Sequence, residues 1–125
     1  NFNLNDGRAL PIFVKSAQAN ENIVIYGTGM ARRSFSHIAD IVDLISKLIF
    51  SNFSGPINLS SSETVTIVEL ANLIKDLTKS SSNIIFKKNL GEAAEKDLVP
   101  NLKIQKSIFP KKQFIKLRDG LAAAF

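Results

Sequence analysis

The side chains with most scope for chemistry lie within residues 23–41. There the apolar run Ile23-Val24-Ile25-Tyr26 stops at Gly27-Thr28-Gly29, and Arg32 and Arg33 follow after Met30 and Ala31. Two glycines one residue apart after a strand can open a dinucleotide-binding turn, but that fingerprint needs a third glycine three residues further on and a helix starting there. Position 32 is arginine, and Ser34-Phe35-Ser36-His37-Ile38 alternates polar and apolar as a half-buried strand does. The glycines therefore read as a tight turn with positive φ that carries Arg32 and Arg33 to the mouth of a cleft. An arginine fork suits phosphate because it donates two parallel hydrogen bonds to phosphate oxygens. By pattern alone, an ordinary surface ion pair fits one of these arginines equally well. Other site chemistries are excluded: there is no cysteine and His37 is the sole histidine, so neither a cysteine-based zinc site nor a multi-histidine metal site can form.

The elements that must position these residues follow from periodicity. The chain opens on a polar, turn-prone segment ending at Asp6-Gly7. Leu10, Phe13, Val14 and Ala17 recur at helical intervals, with Pro11 acceptable in a first turn, and predict a helix over 9–19. Ile23-Val24-Ile25-Tyr26 predicts a strand, and the segment 34–38 a second one paired with it. Ile38, Ile41, Val42, Ile45, Leu48 and Ile49 then share one helical face, with Asp40 and Asp43 near the positive end of the helix dipole.

A turn over 52–56 precedes a short strand, Ile57-Asn58-Leu59-Ser60. Thr66 and Glu69 have capping-box spacing, and Ile67, Leu70, Ala71, Ile74 and Leu77 form the apolar stripe of the helix they open. Ser80-Ser81-Ser82-Asn83 ends it and Ile84-Ile85-Phe86 reads as a strand. Residues 87–101, with Gly91 and Pro100, read as an irregular surface loop. A short helix over 102–109 is stopped by Pro110, and a terminal helix over 114–125 turns Phe114, Leu117 and Leu121 inward, weakened by Gly120. The class is α/β, with α+β as the alternative: a small mixed domain of short strands and four to five helices, with no internal repeat.

At 125 residues, 45% hydrophobic and 22% charged, the chain is one globular domain with enough length for a core. No apolar run approaches the roughly 18 residues of a membrane span, and the N-terminus lacks a signal-peptide layout, so the expectation is a soluble, cytoplasmic protein with no membrane partner. The net charge of +5 is uneven: residues 1–82 carry seven basic and seven acidic side chains, residues 83–118 nine basic and three acidic. Such a cluster meets phosphates or is a solvated face. The lack of aromatic-basic interleaving argues against nucleic acid. A non-catalytic basic interaction module, binding an acidic partner, is the alternative function.

Three separated motifs carry a resemblance. The run from Tyr26-Gly27 through Arg33, Phe35, Ile38, Asp40 and Ile41 comes first; Pro56-Ile57-Asn58-Leu59-Ser60 with Val65-Thr66-Ile67-Val68-Glu69-Leu70-Ala71 comes second; Leu117-Arg118-Asp119-Gly120-Leu121 closes the chain. In this order they resemble the C-terminal part of extended short-chain dehydrogenases/reductases, the NAD-dependent nucleotide-sugar epimerases, dehydratases and decarboxylases, with UDP-glucuronate decarboxylases among the most similar. The resemblance implies a substrate role for Arg33, on the diphosphate of a nucleotide-sugar, and places Leu10, Pro11, Phe13, Val14 and Tyr26 near the nucleotide base. Simple helix core is the other reading of the four apolar residues before the motif. Asn58 reads as structural, and His37 and Asp40 as packing and capping.

The chain departs from the family's pattern at three places. Thr28 and Ala31 stand where aspartate and glutamine are common, and Leu98-Val99-Pro100-Asn101 occupies the place of a second phosphate-binding arginine, leaving Lys87, Lys88 or Lys96 to supply charge. The resemblance also implies NAD as cofactor and a Tyr-x-x-x-Lys pair, yet the sole tyrosine, Tyr26, has Met30 four residues later. The expectation is thus that residues 1–125 form a C-terminal substrate-binding region with no catalytic, cofactor-binding or metal residue of its own. NAD would sit on an absent N-terminal Rossmann portion, the intact enzyme being a homodimer.

Overall fold

The computed structural model describes residues 8–88, 91 and 95–125. The turn at Asp6-Gly7 and part of the 87–101 loop lie outside the described residues.

Helix α1 (Ala9–Gln18) buries Pro11, Phe13, Val14 and Ala17 on one side. It hands over through Asn20, whose φ of 54° is left-handed and whose Oδ1 accepts from the Ser81 amide, tying the end of α1 to the serine loop. Strand β1 (Ile23–Tyr26) follows as expected, with Ile23 and Ile25 fully buried, Val24 half-buried and Tyr26 exposed. Its partner is distant in sequence: β4 (Ile84–Lys87) lies parallel to it, with Ile23 opposite Ile84 and Tyr26 opposite Lys87.

The expected pairing of the next strand with β1 is not formed. Strand β2 occupies Arg32–Ser34, earlier than the 34–38 alternation predicts, and runs antiparallel to β3 (Thr64–Thr66) with Arg33 opposite Val65. The cause lies in the turn between. Gly27 and Gly29 have φ of 85° and 72°, and the Gly29 carbonyl accepts from Val68 N, so the chain heads toward the helix that starts at Ile67 rather than doubling back along β1. The predicted strand at 57–60 has no ladder among the described residues either. At Ser60 the Gln105 side-chain amide takes the place of a neighbouring strand: its Oε1 accepts from Ser60 N at 2.8 Å and its Nε2 donates to Ser60 O at 2.9 Å.

Helix α3 (Ile67–Leu77) starts at the predicted capping box. Glu69 N donates to Thr66 Oγ1 at 3.1 Å and Thr66 N to Glu69 Oε2 at 2.7 Å. Leu70, Ala71 and Ile74 are wholly buried against α1 and β1, and with Phe13, Val14, Ile23, Ile25 and Leu121 they make the core.

Helix α2 (Ile38–Ile49) has the predicted bounds but a different buried face. Leu44, absent from the predicted stripe, is 0% exposed, whereas Ile38, Val42 and Ile49 are 70%, 56% and 70% exposed. On the same side, one turn before Leu44, Asp40 is buried in an ion pair with Lys112. Helix α4 (Lys103–Ile108) ends before Pro110. Helix α5 spans only Leu117–Ala122, shorter than 114–125, so Phe114 precedes it; Leu121 is its buried residue. Glu63 Oε2 accepts from Leu117 N at 2.8 Å, which satisfies one amide of its first turn. Among the described residues no helix is long and apolar enough to cross a membrane.

Candidate anion-binding site

The turn at residues 27–29 is seated on the start of α3. Gly27 N donates to Lys87 O at 2.8 Å, Val68 N to Gly29 O at 3.0 Å, and Ile67 N to Ala31 O at 3.2 Å. A Cβ on Gly29 would collide with Val68 Cγ2 and lie 3.1 Å from Ile25 Cγ2, so both the positive φ and the close approach require glycine. The backbone entering β2 is thereby set, and with it the starting points of the Arg32 and Arg33 side chains.

Arg33 is half-buried. Its Nη1 donates to Arg32 O at 2.9 Å and to Lys96 O at 2.6 Å, while Nε and Nη2 have no partner among the described residues. Arg32 is exposed and gives Nη1 to Thr64 Oγ1 at 3.1 Å. Among the described residues neither arginine takes part in an ion pair. One edge of the Arg33 guanidinium is thus anchored and the other is without a partner among the described residues, and two parallel donors on one edge are what two oxygens of an anion require.

The anchor is the segment 95–98, which runs beside β2 on the edge away from β3. Leu98 forms a parallel bridge with Arg33, and Leu98 N donates to Arg32 O at 3.0 Å. Asp97 Oδ1 accepts from Arg32 N at 2.8 Å. Glu95 closes the turn: Oε1 accepts from Thr28 N at 2.9 Å and Oε2 from Thr28 Oγ1 at 2.8 Å. These Thr28 donors, the hydroxyl first, hold the Glu95 carboxyl below the ordinary carboxylate value. Reading 87–101 as an irregular surface loop, ligand-contacting or plain, singled out neither Glu95 nor Asp97. The available signal was their sign: two of only three acidic side chains in the otherwise basic stretch 83–118 lie here.

The other candidates divide. Tyr26, 46% exposed, ends β1 beside the glycine turn and opposite Lys87, so it lies close to Arg33 in the chain's path. Phe13 and Val14, 4% and 1% exposed, are packed in the core, Pro11 is buried, and Leu10 is half-buried at the core's margin. Lys87, Lys88 and Lys96 are exposed, and Lys96 meets Arg33 through its carbonyl rather than its ammonium. Asn58 Nδ2 donates to Asn101 O, and His37 Nδ1 accepts from Ala39 N, both structural tasks. Two shallow surface depressions lie elsewhere, one along Lys75 of α3 and Lys79 just past its end and one between Asp43 and Lys112, and Arg33 lines neither.

Comparison with known proteins gives this arrangement a family. A sequence profile described as "NAD dependent epimerase/dehydratase family" matches residues 1–60. UDP-glucuronic acid decarboxylase 1 of Xenopus tropicalis is 32% identical over 122 residues, covering 96% of this chain and 28% of its own. The chain belongs to the NAD-dependent epimerase/dehydratase family. An epimerase from Methanothermobacter thermautotrophicus shares the fold at a TM-score of 0.81 and 21% identity, covering 91% of this chain and 34% of that one. A GDP-L-fucose synthetase from Naegleria fowleri, solved with NADP bound, matches at 0.78 and 26% identity over 98% of this chain and 39% of that one. The chain spans about a third or less of the length of the curated relatives it matches, from 20% to 35%.

Within this member of the epimerase/dehydratase family, the residues of the glycine turn do not fit a dinucleotide. β1 leads through the turn into strand β2 and not into a helix, and the start of α3 beside the turn gives its Ile67 and Val68 amides to the Ala31 and Gly29 carbonyls rather than leaving them for a pyrophosphate. The Gly29 carbonyl and the Gly27 amide are already engaged by Val68 and Lys87.

Proposed function

We propose that this chain forms the nucleotide-sugar-binding portion of an NAD-dependent epimerase, dehydratase or decarboxylase, with Arg33 taking two oxygens of the substrate's diphosphate. The observation that carries this reading is the half-occupied guanidinium, in which Nη1 is tied to the carbonyls of Arg32 and Lys96 while the Nε–Nη2 edge has no partner among the described residues. A side chain held this way loses little freedom when an anion arrives. Tyr26, exposed at the end of β1, is positioned to flank the nucleotide, and Leu10 contributes from the margin of α1. Phe13 and Val14 act behind Leu10 as the packed support of that helix.

The work of these residues is to bind and orient. In this reading NAD supplies hydride acceptance and return at the sugar, from a Rossmann portion that residues 1–125 do not include. The names of the matching relatives favour a UDP-linked sugar acid as the substrate class. Titration of the isotope-labelled chain with UDP-glucuronate and UDP tests the proposal by amide shifts. Saturable shifts around Arg33 are expected, and Arg33→Ala should weaken binding by about 30-fold, the loss of a charge-assisted hydrogen-bond pair. Binding unchanged in Arg33→Ala, or no binding at millimolar UDP, would overturn it.

A further inference from the structure

The segment 95–98 does more than run past the site. We propose that it is a strap coupled to Arg33: an anion on the open edge of the guanidinium and the Glu95–Thr28 latch stabilise one another, with Glu95 and Thr28 acting as positioning residues. The inference rests on the reading of Arg33 as the diphosphate arginine.

The coupling runs through a short series of contacts. Arg33 Nη1 meets Lys96 O at 2.6 Å, and the residues on either side of Lys96 are each pinned, Glu95 to the β1–β2 turn by Thr28 and Asp97 to the start of β2 by Arg32 N. An anion that engages Nε and Nη2 fixes the guanidinium plane and so holds Nη1 on the Lys96 carbonyl, which keeps the strap seated. In the other direction, a strap released from Thr28 withdraws the carbonyl that orients Arg33, and the open edge then samples more directions before it can bind. Thermodynamic reciprocity requires the two effects to be equal in size.

Charge does not oppose this arrangement as strongly as composition alone would imply. Glu95 and Asp97 are acidic side chains near a proposed anion site, but each carboxylate is engaged by donors of its own, Glu95 by Thr28 N and Oγ1 and Asp97 by Arg32 N. Arg32, Arg33 and Lys96 leave the local balance positive. Exposure of residues 95–98 leaves hydrogen bonds, rather than burial, as what holds them, so the strap belongs among the segments that open at low cost.

Hydrogen exchange and UDP titration on the full chain test the inference together. Saturating UDP should slow exchange of the Arg32 and Leu98 amides by about 5-fold while leaving Leu70 and Ala71 in α3 unchanged. Thr28→Ala should weaken UDP binding by a similar factor of about 5 and speed exchange at Leu98, and Thr28→Ser, which keeps the hydroxyl donor, should restore both. Glu95→Ala, at an exposed position, provides a second variant with the same expectation should Thr28→Ala fold poorly. UDP binding that depends on Arg33 but leaves Leu98 exchange unchanged or faster, or that is as tight in Thr28→Ala and Glu95→Ala, would overturn the strap while leaving the proposed function standing. Absence of Arg33-dependent UDP binding would instead remove the functional reading on which the strap depends.

Discussion

Lys112 and Asp40 form an ion pair, Nζ to Oδ1 at 3.0 Å, that fastens the segment after α4 onto the first turn of α2. Asp40 is 4% exposed and its Oδ2 also accepts from Ile115 N at 2.9 Å, so it holds two residues of one segment that lies far from it in the sequence. Removing Lys112 leaves a buried carboxylate with one amide donor. Lys112→Ala should cost about 3 kcal/mol in urea unfolding, and Asp40→Asn combined with it should cost less than the sum of the single changes. Strict additivity would show that the pair contributes nothing of its own.

The same cluster sets a pH dependence. Hydrogen bonds from Lys112 first and Lys47 second hold the Asp43 carboxyl below its ordinary value, so its contribution is present above the unfolded value of about 3.9 and is lost as pH falls through the lowered folded value. Asp40 first and Asp43 second raise the Lys112 ammonium, so its contribution is present below the unfolded value of about 10.4 and is lost as pH rises through the raised one. Urea midpoints should therefore fall on both sides. Asp43→Asn should flatten the acid limb below about pH 4, and parallel acid limbs in the two proteins would show that the pairing is not felt.

Gly120 sits inside α5, where helix propensity alone says that alanine should stabilise by about 1 kcal/mol. A Cβ at this position would meet His37 Cδ2 at 3.1 Å, and His37 is held in place as the N-cap of α2. Gly120→Ala should accordingly gain less than its propensity in the native background. In His37→Ser, which keeps a capping oxygen and removes the ring, the full gain of about 1 kcal/mol should return. Equal gains in both backgrounds would mean that the ring yields without cost.

The two faces of α2 should respond differently. Leu44→Ala removes a wholly buried side chain and should cost about 3 kcal/mol, whereas Val42→Ser, at a position 56% exposed, should fall within about 0.5 kcal/mol of the parent protein. Thermal or urea unfolding of the two variants checks this, and a large loss at Val42 would place the buried face where the apolar stripe alone puts it.

Residue types alone determined the features whose partners lie within one helical turn. Thr66 and Glu69 satisfy each other's amides across three residues, the paired glycines at 27 and 29 permit left-handed backbone, and Ile23–Tyr26 and the bounds of α2 follow from periodicity. Arg32 and Arg33 as a pair of anion candidates were legible for the same reason, since their fork chemistry and their place after the turn are both local, while the choice of Arg33 between them came from the family resemblance. Tertiary structure decided which groups answer one another at a distance. A backbone hydrogen bond does not depend on its partner's identity, so nothing in Ile23–Tyr26 names β4 as its neighbour or denies pairing to 34–38. An apolar stripe shows that a helix has a side to bury, but the side of α2 that the fold buries holds Leu44 together with Asp40, which meets Lys112, and leaves Val42 outside. Thr28 and Glu95, 67 positions apart, became a latch only because the fold lays 95–98 along β2.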